Sequence, residues 1–324
     1  MHSTFSILNL RSSILLLHRR QLGTLIALLV LAAVLSALTP YFFTISNLLN
    51  VVQQTAINAI IAVGMTYVII SGGIDLSVGS ILALAGILLG SALRAGVPVP
   101  LAILGGLLTG TLMGSLNGLL ITRGKLPPFI ATLGMMSVAR GAALVYSDGR
   151  PISGFDASFR ELATGALWLA PVPVAIMIAL YGISHLLLTR TKHGRYLYAM
   201  GGNEQAAILS GVSVRLHKGL AYAFSGLTSG IAAVILTARL NSAQPIAGIM
   251  YELEAIAATV IGGTSLMGGE GTLSGTLIGA LIIGVLRNGL NLLGVSAFLQ
   301  QIVIGSVIIL AVLLDTMMRT ARRR

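Results

Sequence analysis

The sequence predicts an all-α polytopic membrane protein, and three observations carry that prediction. Charged residues make up only 9% of the 324 positions, while 56% are hydrophobic. A soluble domain averages about 25% charged residues, so this chain lacks the polar surface that water would require. Glycine occurs 39 times. Small residues let helices approach closely in lipid, where no hydrophobic drive brings them together. The apolar residues also fall into long runs separated by short basic clusters.

Ten runs are expected to cross the membrane, near 21–39, 55–71, 77–93, 99–121, 128–147, 167–188, 218–238, 253–267, 273–292 and 297–314. Several approach the roughly 20 residues that a 30 Å hydrocarbon core requires. The first follows Arg19-Arg20 and is longer than a secretory signal core, so it reads as an uncleaved span. Tyr41, Phe42 and Phe43 follow it as interfacial aromatics, and Trp168 opens the sixth run. The runs at 55–71 and 255–267 are short and read as tilted, broken or partly spanning. Residues 148–161 form the main external loop. The resulting organisation is a cytoplasmic segment 1–20, a membrane domain 21–314 and a basic cytoplasmic tail 315–324.

Charge sets the orientation. With the N-terminus inside, inner segments hold 14 of the 20 Lys and Arg residues and outer segments hold four, Arg94, Arg150, Arg160 and Arg239. Arg140 and Arg287 fall near or within spans. This asymmetry places both termini in the cytoplasm. An eight-span arrangement also keeps both ends inside, but it moves the basic segment 190–218 outside, against the bias. The net charge of +11 follows from the same clusters, which form no basic face and carry no interleaved aromatics. Nucleic acid is therefore not a predicted partner.

The segment 190–218 holds five basic residues and the stretch Gly201-Gly202-Asn203-Glu204-Gln205-Ala206-Ala207. It reads as a short capped helix. Asn203 is a good N-cap, Glu204 puts negative charge at the positive end of the dipole, and Gly211 suits a left-handed closing residue. Gly202 is expected to let the backbone turn tightly before the cap. A helix of about seven residues is not stable alone in water. Either a soluble partner grips it, or it is a solvated loop.

Two glycine-rich elements interrupt the apolar pattern, 71–80 with Asp75 and Ser77, and 262–271 with Glu270. Asn58-Ala59-Ile60 and Glu254-Ala255-Ile256 precede paired glycines at equal distance, which suggests an internal repeat of 196 residues of the kind transporters carry. Irregular backbone and acids within a membrane survive where protein or water covers them. Asn58, Asp75, Ser77, Glu252 and Glu254 are therefore candidates for a translocation pathway. The alternative makes Asp75 a helix cap and pairs Glu252 and Glu254 with Arg239 at the outer interface.

Catalysis is not expected. There are no cysteines, and the sequence contains neither a His-Glu-x-x-His zinc pattern nor a phosphate-binding loop. No catalytic residue, metal or cofactor is assigned to this chain.

The segments 53–60, 62–66, 73–80, 129–133, 201–204, 238–245, 251–258 and 288–295, in that order, resemble the permease subunits of bacterial ABC sugar importers, those for ribose most of all. The resemblance covers nearly the whole chain. It implies about ten spans per subunit in the bacterial inner membrane, with a second permease copy as partner. It further implies a cytoplasmic ABC ATPase and a periplasmic sugar-binding protein. Gly201, Gly202, Asn203, Glu204, Ala207 and Gly211 match the coupling region that docks on the ATPase. The cargo implied is D-ribose or a related monosaccharide; permeases for xylose, allose or a signalling furanose share these motifs. Glu254 departs from the aspartate that relatives commonly carry, and the external loop is shorter than in the ribose permeases. An ion-coupled secondary transporter, using Asp75 or Glu254 as its coupling site, is the alternative class.

Overall fold

The computed structural model describes residues 22–167 and 170–323. The segment 1–20, with Arg11, Arg19 and Arg20, and the interfacial Trp168 lie outside the described residues. The rest is a helical bundle whose elements run α1 (Leu22–Leu38), α2 (Ile45–Ile70), α3 (Val78–Arg94), α4 (Val99–Thr122), α5 (Pro128–Ser147) and α6 (Ala157–Thr164). They continue through α7 (Val172–Arg190), α8 (Lys192–Gly202), α9 (Glu204–Leu209), α10 (Val214–Leu240), α11 (Tyr251–Ile261), α12 (Leu273–Leu292) and α13 (Ala297–Arg323). By length and composition α2, α4, α5, α7, α10 and α12 can each cross a membrane, and α1, α3 and the 297–313 part of α13 are shorter apolar helices.

Two helices form the centre. Along α2 nearly every side chain from Thr55 to Ile70 is buried, and α10 is buried over most of its length. The run at 55–71 is therefore not short. Its helix begins at Ile45, where Thr44 caps it through Asn47 N, and 26 residues give about 39 Å. Polar Asn47, Gln53 and Gln54 hid the first turns from an apolar count. Asn47 and Asn288 exchange two amide hydrogen bonds at 2.8 and 3.0 Å, which satisfies that polarity against α12.

Glycine places α4 on α10. Gly106, Gly110, Gly114 and Gly118 recur every fourth residue and face Gly219, Tyr222, Gly226 and Gly230. A Cβ at Gly114 would come within 2.9 Å of the Gly226 Cα, so the two backbones touch. This is the small-residue packing that lipid favours. The opposite side of α4 shows Leu101, Leu104, Leu108, Leu112 and Leu116 exposed, as a lipid-facing helix should.

The segment 148–161, expected as a loop, is more ordered than one. Ile152–Ser153 (β1) pairs antiparallel with Ser242–Ala243, and α6 buries Phe159 beneath it. Two further strands, Ala166–Leu167 and Ala170–Pro171, form a hairpin ahead of α7, so the sixth span starts at Val172 and not at 167. The expected run 253–267 resolves into α11, 11 residues or about 16 Å, and a glycine-rich loop. Helix α13 continues past 314 without a break.

Candidate functional site

Between α7 and α10 the chain forms a two-helix module. Thr191 caps α8 by accepting from Gly194 N at 3.3 Å. Asn203 caps α9, its Oδ1 accepting from Ala206 N at 2.9 Å. Gly211 adopts φ +81° and closes α9 together with the bond from Val212 N to Ala207 O. The start and stop signals read from the sequence are thus the ones the backbone uses. Helix α8 was not expected. Its 11 residues hide among charged and glycine positions, but its inner face buries Gly194, Leu197 and Met200.

Three contacts hold the module to the bundle, so α9 does not depend on a partner for its shape. Ala207 is buried in the main core cluster. Glu204 forms an ion pair with Lys218 of α10 at 2.6 Å. Gly201 lies against the end of α2, where a Cβ would collide with the Ile70 carbonyl oxygen and approach Gly269 N to 2.5 Å. The tight turn foreseen at Gly202 is made by neither glycine, since both are helical without a positive φ, and what Gly201 supplies is the close approach. Gly202 ends α8 without a positive φ, and a Cβ there would meet nothing. Outward, Ile208 and Leu209 are bare, Leu209 being 89% exposed.

His193 of α8 and His217 of α10 face each other, Nδ1 to Nδ1, at 2.7 Å. Burial, and then the neighbouring His217, hold His193 below its ordinary pKa of 6.5.

Asn58 and Glu254 lie further along α2 and α11, away from the module. Glu254, 2% exposed, lies in the first turn of α11 and accepts hydrogen bonds from Asn58 of α2 and Arg287 of α12. Arg239, the partner in the alternative reading, is not the one the fold brings up. Glu254 pairs with Arg287, Glu252 interacts with Arg140, and among the described residues neither forms an ion pair with Arg239. Arg287 was visible as an intramembrane cation, and such a charge needs a carboxylate or carbonyl partner. Around this pair is a cavity of about 260 Å³, lined by Gln54, Asn58, Arg239, Tyr251, Glu254 and Arg287 among others. Among the described residues the Thr55 hydroxyl and the Asn58 side-chain Oδ1 are buried beside it without hydrogen-bond partners, so it offers unsatisfied polar atoms to a hydroxylated ligand or to water.

Asn58 and Glu254 are separated by 196 residues, the predicted repeat. Gly72 and Gly268 are equally spaced and also touch. The matched stretches therefore run side by side in the same direction, with Gly269 N donating to Ile70 O at 2.9 Å.

Asp75 is fully enclosed. Its Oδ1 accepts from Ser77 N and Oγ at 3.0 and 2.6 Å, and its Oδ2 accepts from Ser225 Oγ at 2.8 Å. Asn117 donates in turn to Ser77 Oγ at 2.8 Å. Ser77, not Asp75, occupies the N-cap position of α3. The sequence did not reveal Ser225 or Asn117, since both lie in other helices with no local pattern.

Residues 47–312 match the family model described as "Branched-chain amino acid transport system / permease component". The chain belongs to this permease family. It is 52% identical over 298 residues to the ribose import permease protein RbsC of Bacillus subtilis, covering 91% of this chain and 92% of that one. The Haemophilus influenzae RbsC is 50% identical over 301 residues, with 92% and 93% covered. The L-arabinose ABC transporter permease protein AraH of Azospirillum brasilense is 36% identical over 301 residues, covering 93% and 89%. No solved structure matches the chain. Membership in this permease family, with several helices able to cross a bilayer, makes the chain a multi-pass membrane transport component.

Proposed function

We propose that this chain is the translocation subunit of an ATP-driven ribose importer, working as a homodimer in the bacterial inner membrane. The likeness to ribose permeases over nine-tenths of the chain supports the cargo. The observation that carries the mechanism is the α8–α9 module. Ile208 and Leu209 stand adjacent and exposed at the tip of this capped module, and they give a partner an apolar contact. An ABC ATPase in the cytoplasm grips that tip, and a periplasmic sugar-binding protein delivers the sugar to the other side. ATP hydrolysis belongs to the ATPase, and this chain contributes no catalytic residue or cofactor.

Force applied to α9 reaches the bundle by two routes. Glu204 and Lys218 pass it to α10, and Gly201 passes it to the end of α2. These are the two central helices, so tilting the module moves the core and not only the surface. The pathway is lined by Asn58, Glu252 and Glu254, while Asp75 and Ser77 fix the α3 entry against α10. Ten crossings, with α11 completed by its glycine-rich loop, put both termini and the module in the cytoplasm and leave lipid around the leucine face of α4.

Proteoliposomes holding the permease, its ATPase and its binding protein test this reading. Ribose uptake should require all three proteins and ATP, and allose and xylose should compete weakly. Uptake that persists without the ATPase and follows an imposed proton or sodium gradient would identify an ion-coupled transporter instead.

A further inference from the structure

A second groove of about 460 Å³ runs between α4 and α10, beside the α8–α9 module. Its floor is glycine, for a Cβ at Gly118 would come within 2.9 Å of the Gly219 Cα. Its two ends differ in chemistry. At one end stand Arg123 and Arg215, both exposed and, among the described residues, without a carboxylate partner. Ser213 lies between them at the N-terminus of α10 and its hydroxyl does not cap that helix. The first turn of the 27-residue α10 closes on the Val212 and Ser213 carbonyls, and the positive end of its dipole lies there. The same groove is walled by Leu216 beside Arg215 and, about one turn further into the bundle, by Leu119 and Leu220, the three exposed by 56, 45 and 46%.

We infer that this groove binds one anionic phospholipid, its phosphate between Arg123 and Arg215 and an acyl chain along Leu119, Leu216 and Leu220. Charge complementarity and the polar-to-apolar gradient choose the occupant together. A free phosphate uses only the cationic end, and an acidic peptide of a soluble partner leaves three leucines uncovered. A zwitterionic lipid fills the apolar end but carries a cation to two guanidiniums. Arginine beside an uncapped helix N-terminus is a recurrent phosphate site, and basic pockets between membrane helices take anionic headgroups.

The test uses the full chain, delipidated in mild detergent and titrated with phosphatidylglycerol or phosphatidylcholine of identical acyl chains. Bound lipid is counted by native mass spectrometry and stability followed by thermal shift. Expected is one phosphatidylglycerol held more tightly than phosphatidylcholine. Arg123→Gln and Arg215→Gln should each weaken it about fivefold, and the double variant about 25-fold. Lysine at both positions should restore most of the preference. Leu216→Ser should weaken both lipids alike. If the double variant does not assemble, the single variants decide. Equal binding of the two lipids, or a preference that survives loss of both arginines, overturns the inference. Stabilisation by inorganic phosphate equal to that by the lipid identifies a free-anion site and overturns it too.

Discussion

Gly201 rests so closely on Ile70 that any side chain at 201 would enter the space of the Ile70 carbonyl oxygen. That oxygen already accepts a bond from Gly269 N at 2.9 Å. Three segments distant in sequence, the ends of α2 and α8 and the loop after α11, thus converge on one point. The α8–α9 module is keyed into the bundle there.

Gly201→Ala should therefore disturb this joint, while Gly202→Ala should not. Overpacking typically costs about 1–3 kcal/mol, and the backbone atoms facing Gly201 cannot rotate away. Gly202 ends a helix with open space around it, where alanine is favoured by up to about 1 kcal/mol. Thermal unfolding of the two purified variants, with ribose uptake beside it, makes the comparison. A Gly202 variant as impaired as the Gly201 variant would contradict the joint.

Glu204→Lys should uncouple the permease with little effect on its abundance. It places positive charge at the positive end of α9 and opposite Lys218, whose side chain is only 10% exposed. Ribose uptake should fall at least about fivefold and less ATPase should co-purify. Glu204→Gln, which removes the charge without reversing it, should fall between. Full uptake in Glu204→Lys would show that the ion pair transmits nothing.

How much of this was legible follows from the range of each interaction. The caps at Asn203 and Gly211 are local rules, and the sequence displays them directly. Helix α8 was missed because its burial rests on Leu197 and Met200 meeting distant helices. The extent of α2 was misjudged because Asn47 finds its partner 241 residues away. The acid Glu254 could be singled out as costly in a membrane, but its partner could not. Arg239 and Arg287 offered equal charge, and only the crossing of α11 with α2 and α12 selects Arg287.

The His193–His217 contact predicts a pH dependence with a definite sign. His193 has a folded pKa below 6.5 because it is buried and faces a second imidazole. The unfolded chain then binds more protons than the folded one between the folded pKa and 6.5. Stability is complete above 6.5 and is lost as pH falls through the folded value. The thermal midpoint should drop between pH 7.5 and 5.5, and His193→Gln should flatten that slope. An unchanged slope in the variant would assign the dependence to other groups.

Orientation can be read chemically, because the sequence contains no cysteine. Ser153 and Ser210 are both exposed, the first in β1 and the second after α9. A cysteine at 153 should react with an impermeant maleimide in intact spheroplasts, and one at 210 only after permeabilisation. Labelling of position 210 from outside would invert the bundle and remove the ATPase-facing role of α9.

The Glu254–Arg287 pair separates a pathway role from a structural one. Removing one partner of a buried ion pair generally costs about 3–5 kcal/mol, since the other charge is stranded, whereas replacing both is often neutral. The partial exposure of Arg287, 33% of its side chain, puts this pair at the lower end. Glu254→Gln and Arg287→Met should each lower the thermal midpoint and reduce ribose uptake at least about fivefold. The double variant should regain the midpoint, because no unpaired charge remains beside Asn58. If these groups line the sugar's route, uptake stays low although stability has returned, for the cavity has lost its polar wall. If uptake returns with stability, the pair is a brace between α11 and α12, and the sugar passes elsewhere.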